Sequence, residues 1–183
     1  MAAYMRDQFP FLGVPTPARR RAVRALLPRT LDRELIDALW SLPEREFQYV
    51  ACDHLQKVPL ESAAADFLRS LVVRKSWWDT VDALAKPVGR ACTPEQMRAW
   101  ARDDNLWVRR AAVLHQLGRR EATDAELLGE ILAGNLDSGE FFLDKAVGWA
   151  LREYSKTDPA WVRTFLDEHE MAALTRREGS KYL

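Results

Sequence analysis

The segment from Lys75 to Asp82, KSWWDTVD, places two adjacent tryptophans and two carboxylates within about two helical turns. On a helix, Trp78 and Asp82 are four residues apart and share one side, whereas Trp77 and Asp79 point elsewhere. Indole faces attract cations, so a tryptophan beside a carboxylate favours a positively charged ligand. The alternative is that both tryptophans pack in the core and that Asp82 lies on a solvated helix face.

Two further segments carry residues of matching chemistry. Trp149 lies in AVGWALREY, and Arg110 lies in NLWVRRAAVL, where Trp107 leads the helix and is interpreted as a core residue. A guanidinium can hold a phosphate through its forked donors. One surface bearing Asp82, Trp78, Trp149 and Arg110 would therefore suit a cationic or sugar-like ligand attached to a phosphate. Core packing remains the alternative for each tryptophan.

Several other chemistries find no support in the sequence. There is no Walker A motif, no glycine-rich dinucleotide fingerprint, no HExxH and no GxSxG. The histidines His54, His115 and His169 are scattered, and Cys52 and Cys92 are too few for a zinc site or a disulfide framework. Metal, nucleotide and serine-triad chemistry are not expected, and no cofactor is predicted.

The charges balance overall but are segregated along the chain. The 27 basic and 27 acidic side chains cancel, and the sequence pI is near 6.8. Arginines crowd the first part and the middle, whereas acids gather between Asp124 and Asp144. The opening segment has no apolar run long enough for a signal peptide, and no later segment approaches the ~20 apolar residues of a membrane span. A soluble cytoplasmic protein is expected.

Apolar residues recur at intervals of three and four, glycine is scarce and β-branched runs are absent, which predicts helices from end to end and no strand. The predicted N-caps are Thr16, which precedes Pro17, then Ser76, and either Asp104 or Asn105. Pro43 is predicted to end a helix. Small residues after bulky ones in 47–51, 107–112 and 141–147 resemble HEAT-type helix pairs, and an ordinary helical bundle is the alternative. The predicted helices cover about 16–27, 31–42, 44–58, 60–73, the tryptophan segment, a short helix from Pro94, then a helix to 117, 125–132, 139–154 and 159–166.

Five segments resemble the AlkD-type DNA alkylation repair family, the HEAT-like-repeat alkylpurine DNA glycosylases. They occur in the family's order and cover nearly the whole chain: YMRDQFPFLGVPTPARR, LPEREFQYVA, KSWWDTVD, DNLWVRRAAVLHQL and FFLDKAVGWALREYSKTDP. The resemblance implies one all-α domain over residues 1–183, a HEAT-like repeat α-solenoid of antiparallel helix pairs. Its concave face would hold duplex DNA containing alkylated purines. One subunit is expected to suffice, because one curved wall around a duplex requires no partner subunit, and neither an obligatory protein partner nor membrane contact is expected.

The resemblance also assigns roles to particular residues. Asp82 corresponds to the catalytic aspartate, Trp78 and Trp149 to the tryptophans at the damaged nucleotide, and Arg110 to an arginine on the DNA backbone. Tyr4 matches a tyrosine near the DNA face. The implied reaction hydrolyses the N-glycosidic bond of N7-alkylguanine or N3-alkyladenine while the lesion stays stacked.

Two other functions fit the same pattern. One is a DNA-structure-binding HEAT-like protein without catalysis, and the other is a protein-binding HEAT scaffold. Relatives in this family usually have about twenty further residues before the segment that begins at Tyr4, so we expect a form that is short at the N-terminus. Loss of a first helix would expose apolar surface on the next repeat.

Overall fold

The structure, a computed structural model, describes all residues from Met1 to Leu183. It contains eleven α-helices, three short 3-10 helices and no strand, so the predicted all-α class is confirmed. None of the helices has the length and apolarity that crossing a membrane requires. The α-helices are α1 (Thr16–Val23), α2 (Arg33–Ser41), α3 (Arg45–Leu55), α4 (Ala65–Val72), α5 (Trp78–Ala91), α6 (Pro94–Trp100), α7 (Leu106–Leu114), α8 (Ala125–Ala133), α9 (Phe141–Tyr154), α10 (Pro159–Glu168) and α11 (Ala173–Gly179).

Several predicted helix ends are confirmed and two predicted N-caps are wrong. Thr16 is the first residue of α1, and the N-cap position is occupied by Pro15, which offers no side-chain hydrogen bond. Asn105 caps α7 by accepting a hydrogen bond from the Trp107 amide, and Pro94 opens α6. Ser76 does not cap the tryptophan helix. Its hydroxyl donates to the Val72 carbonyl at 2.6 Å, and α5 begins after Trp77 without a side-chain cap. The serine therefore closes the end of α4 instead of opening α5.

The last helix, α11, was not predicted. Its sequence ALTRREG has no apolar stripe, and its buried residues are Thr175 and Gly179. Packing against α9 takes the place of that stripe. A Cβ on Gly148 of α9 would lie 2.6 Å from the Glu178 Cβ, so only glycine permits this approach. Arg152 of α9 also forms an ion pair with Glu178. Tertiary contacts therefore hold a helix that local pattern does not indicate.

The chain divides into two compact units, Met1–Leu60 and Glu61–Leu183. In the first unit, α1 and α2 pack on α3. The buried Glu46 carboxylate accepts hydrogen bonds from the amides of Leu12, Gly13 and Val14 at 2.8 to 3.2 Å, which fixes the turn before α1. The prediction of one continuous repeat domain stays a prediction.

The second unit is built from a stack of helices in which every second helix of the chain packs on the next. Helices α5, α7, α9 and α11 pack in succession, while α4 and α6 flank α5 and α7. A Cβ on Gly89 of α5 would lie 2.2 Å from the His115 carbonyl oxygen, so these two helices meet at backbone distance. Ion pairs join residues 32 to 34 positions apart, Arg69 with Asp103 and Arg98 with Glu130. This spacing is typical of one helix-pair repeat. The stack positions three neighbouring helices, α5, α7 and α9, that carry the predicted site.

Candidate functional site

The predicted site centres on an ion pair between Asp82 of α5 and Arg110 of α7. Arg110 Nε donates to Asp82 Oδ1 at 2.7 Å, and Nη2 donates to Oδ2 at 2.8 Å. Two parallel charge-assisted bonds of this kind fix both the position and the plane of a carboxylate. The Arg110 side chain is 5% exposed and that of Asp82 is 15% exposed. The carboxylate is therefore held in one orientation while part of its surface stays open.

The same guanidinium also reaches α9. Arg110 Nη1 donates to the backbone carbonyl of Phe142, in the first turn of that helix. One side chain thus links three stacked helices, α5, α7 and α9, at the position of Asp82. A lysine could not make these contacts simultaneously, because its ammonium is a single point on a flexible stem.

Two opposing effects act on the protonation of Asp82. Burial raises the pKa of Asp82 above its usual range, because the charged form loses water. The hydrogen bonds and charge of Arg110 act in the opposite sense, while the nearby Asp79 adds to the rise in pKa. The carboxylate is thus more basic than an exposed aspartate and still has a guanidinium that stabilises its charged form.

Aromatic rings pack beside this ion pair. The Trp77 ring lies 5.6 Å from the Trp107 ring and 5.1 Å from the Phe142 ring, between centroids, and Trp107 lies 5.3 Å from Phe142. Phe141 extends the cluster at 5.3 Å from Phe142 and is 52% exposed. The buried Trp77 indole nitrogen has no hydrogen-bond partner. These four residues form what we call the aromatic cluster, in which Trp107 belongs to α7 and Phe141 and Phe142 begin α9.

The other predicted residues occupy distinct positions. Trp78 is the first residue of α5, one turn before Asp82, and it is half-buried. Trp149 lies in the second half of α9 and is also half-buried. Tyr4 belongs to the first compact unit, in the 3-10 helix Ala3–Met5, and is 71% exposed. Of the predicted set, the structure joins Asp82 and Arg110 directly.

Arg110 has a contact in the structure that its predicted role did not include. The fork that sequence analysis assigned to a DNA phosphate is occupied by Asp82, and the third nitrogen is bonded to Phe142. Its geometry is that of a residue that orients the carboxylate, and the phosphate contact stays a prediction.

Sequence reasoning also missed the Phe142 carbonyl and the participation of Trp77. A backbone acceptor has no residue-type signature, and Trp77 was expected to point away from the site. Trp107, interpreted as core, is only half-buried. The cluster could have been anticipated from the apolar lead residues at the starts of α7 and α9, which face each other when the helices stack.

No group of three or more His, Cys, Asp or Glu side chains comes together in the way that a metal site requires.

Comparison with known proteins identifies the family of the chain. The family model described as DNA alkylation repair enzyme matches residues 1–183. The chain belongs to this family.

Two solved structures are similar to it. One is described as a predicted DNA alkylation repair enzyme from Enterococcus faecalis, 37% identical with a TM-score of 0.90, covering 100% of this chain and 92% of that one. The other is AlkD2 from Streptococcus mutans, 17% identical with a TM-score of 0.71, covering 100% of this chain and 97% of that one. The expected helical-repeat fold is thereby confirmed. No curated protein matches the chain.

Proposed function

We propose that this protein is a DNA glycosylase that removes cationic alkylated purines, N7-alkylguanine and N3-alkyladenine, from duplex DNA. Membership of the DNA alkylation repair enzyme family supports a role in the repair of alkylated DNA. The observation that carries the finer assignment is the Asp82 carboxylate, held by two bonds from Arg110 and still partly exposed. A single oriented carboxylate is the group that this reaction needs.

The chemistry of the substrate explains why one carboxylate suffices. A purine alkylated at N7 or N3 carries a positive charge, so it leaves as a neutral base and needs no acid to protonate it. The sugar develops oxocarbenium character as the bond to the base breaks. Asp82, when ionised, stabilises that positive charge and accepts a hydrogen bond from the water that attacks the anomeric carbon. The proton from that water leaves through the carboxylate, and the products are the free base and an abasic site.

Arg110 holds the Asp82 carboxylate in a fixed orientation. Because both Asp82 oxygens are bonded before any ligand arrives, the charge need not be reoriented during the reaction. A charged partner also favours the ionised form of a half-buried acid. Trp78, one turn away on α5, and Trp149 on α9 offer indole faces that suit a cationic base and the deoxyribose against which it stacks.

The decisive experiment measures release of free 7-methylguanine from a duplex with one such lesion. Asp82→Asn keeps the shape of the side chain and removes its charge, so we expect excision to fall by at least a hundredfold while duplex binding is retained. Asp79→Asn, three residues away on the same helix, is the matched control and should keep most of the activity. Excision by Asp82→Asn at the normal rate would rule out the proposed role of this carboxylate.

The same assay separates the alternatives that the sequence left open. Duplex binding without release by the unchanged protein would identify a DNA-binding protein without glycosylase activity. Absence of a salt-sensitive complex with duplex DNA would favour a scaffold for other proteins, because phosphate contacts make DNA binding fall steeply with salt. One subunit is expected to suffice for activity, since all the residues named lie in one chain.

A further inference from the structure

The first compact unit contains a cavity with an unusual concentration of positive charge. It has a volume of about 300 Å³ and lies between the end of α1, the following loop and the end of α3. Its walls include the apolar side chains Val23, Leu27, Pro28 and Val58. An apolar wall lowers the local dielectric constant, so charges at the mouth of the cavity act more strongly than they would on an open surface.

Four cations line this cavity, which we call the basic cavity: Arg20, Arg24, Arg29 and Lys57. All four are exposed residues, so their long side chains can move toward a ligand. Asp53 is the one acidic residue in the lining. In a protein whose total formal charge is zero, the lining is therefore strongly positive.

Asp53 cannot neutralise the whole set, because its two oxygens are already engaged. Arg20 donates to both, at 3.0 and 2.6 Å, and the buried Arg19 donates to Oδ2 at 3.1 Å. Burial tends to raise the pKa of Asp53, but the hydrogen bonds from Arg20 and Arg19 outweigh it and hold that pKa below the usual value. Arg24, Arg29 and Lys57 form no ion pair that would cancel their charges.

The dipoles of α1 and α3 offset only part of the positive charge of the basic cavity. The ends of α1 and α3 each contribute about half a negative charge. Asp53 is shared with Arg19, so it and the two helix ends cannot balance all the cations around the cavity. A net positive charge remains there, which favours an anionic ligand such as a phosphate group.

A buried histidine adds a polar atom to the same wall. His54 lines the cavity and is 2% exposed, and its Nε2 has no hydrogen-bond partner in the protein. Burial lowers the pKa of His54, while a hydrogen bond to the Thr30 backbone acts in the opposite sense. A neutral ring that donates to that carbonyl through Nδ1 presents Nε2 as an acceptor. Nε2 is itself closed to solvent, so His54 forms part of the wall, and the cations alone bind the phosphate.

We infer that the basic cavity is a phosphate-binding site, formed by Arg20, Arg24, Arg29 and Lys57 and separate from the ion pair of Asp82. The ligand is a tetrahedral phosphate group, either a phosphate of the DNA backbone or a free phosphate ion. The inference does not depend on glycosylase activity, and its test uses no excision assay.

The first arm of the test uses inorganic phosphate and the full-length protein. Phosphate is titrated at constant ionic strength while backbone amide signals of residues 20–30 and 53–58 are followed by NMR. We expect saturable binding that weakens at least threefold in Arg24→Gln and in Lys57→Gln. Arg21→Gln removes the same charge from the same end of α1 but lies outside the cavity, so its affinity should match that of the unchanged protein. Equal weakening in all three variants, or no saturable binding, would overturn the inference.

The second arm identifies the source of the phosphate with an undamaged duplex. If the cavity holds a backbone phosphate, the slope of log affinity against log salt should decrease by about 0.9 in Lys57→Gln and stay unchanged in Arg21→Gln. If duplex binding is identical in all variants while inorganic phosphate binding is weakened, the site binds a free phosphate. Both patterns support the site and differ only in its source. Loss of duplex binding in Arg21→Gln equal to that in Lys57→Gln would contradict it.

Discussion

Replacement of Arg110 by methionine gives the sharpest test of the ion pair. Methionine retains much of the length of the side chain and removes all three donors. The Asp82 carboxylate would lose both its charged hydrogen bonds, and the Phe142 carbonyl would lose its donor. Breaking a buried ion pair at one partner costs about 3–5 kcal/mol. Because the Asp82 side chain keeps 15% exposure, water offsets part of this loss, and we expect about 3 kcal/mol.

Thermal unfolding followed by circular dichroism can measure this effect. For a chain of this length, a loss of 3 kcal/mol corresponds to a Tm lower by about 6–12 °C. A double-mutant cycle with Asp82→Asn isolates the pair, because the double variant has neither an unpaired carboxylate nor an unpaired guanidinium. We expect a coupling free energy of about 2 kcal/mol. If the two single effects simply add, the reasoning about the pair is refuted.

The pH dependence of the Arg110→Met effect tests whether Arg110 favours the ionised form of Asp82. A carboxyl group whose pKa is raised in the folded protein contributes stability below its unfolded pKa, and this contribution is lost as pH rises through the folded pKa. Removing Arg110 raises the pKa of Asp82 further, because the guanidinium opposes the effect of burial. The destabilisation by Arg110→Met should therefore be largest near neutral pH and shrink as the solution is acidified through that pKa. In the excision assay, the acid limb of the rate profile should move to higher pH.

Three further predictions concern other parts of the chain. Gly148→Ala should lower the free energy of unfolding by about 1–3 kcal/mol, because the added Cβ has no space. Gly134→Ala should be neutral in the same thermal unfolding experiment, because the nearest atom to its added Cβ is 3.5 Å away. Asp124→Ala removes the cap of α8 and should cost about 1 kcal/mol, with Asp124→Ser restoring most of it. Burial raises the pKa of the Cys92 thiol to about 11, so at pH 8 it should react with a disulfide reagent far more slowly than free cysteine; rapid reaction would contradict its burial.

The sequence predicted the helices that carry an apolar stripe or a strong start signal. Asn105 and Pro94 mark helix starts through local chemistry, and such signals depend on neighbouring residues alone. The proline-free segment ALTRREG has neither signal, so α11 was missed. The hydroxyl of Ser76 was assigned to the following helix because its bond to the preceding one becomes visible only in three dimensions.

The candidate site was predictable in its residues and not in its connections. Asp82 and Arg110 were selected by type and by the family resemblance, and the structure adds that they bind each other. Their separation of 28 residues in the chain gives no local pattern. The Phe142 carbonyl belongs to the backbone, which every residue shares, so no residue type could indicate it.

Gly148 and Trp149 are adjacent in sequence, and on a helix successive residues point about 100° apart. The first admits α11 to within touching distance of the α9 backbone, and the second presents its indole on another side of the same helix. A side chain at position 148 that pushed α11 away would therefore act one residue from Trp149, on the helix that carries this tryptophan.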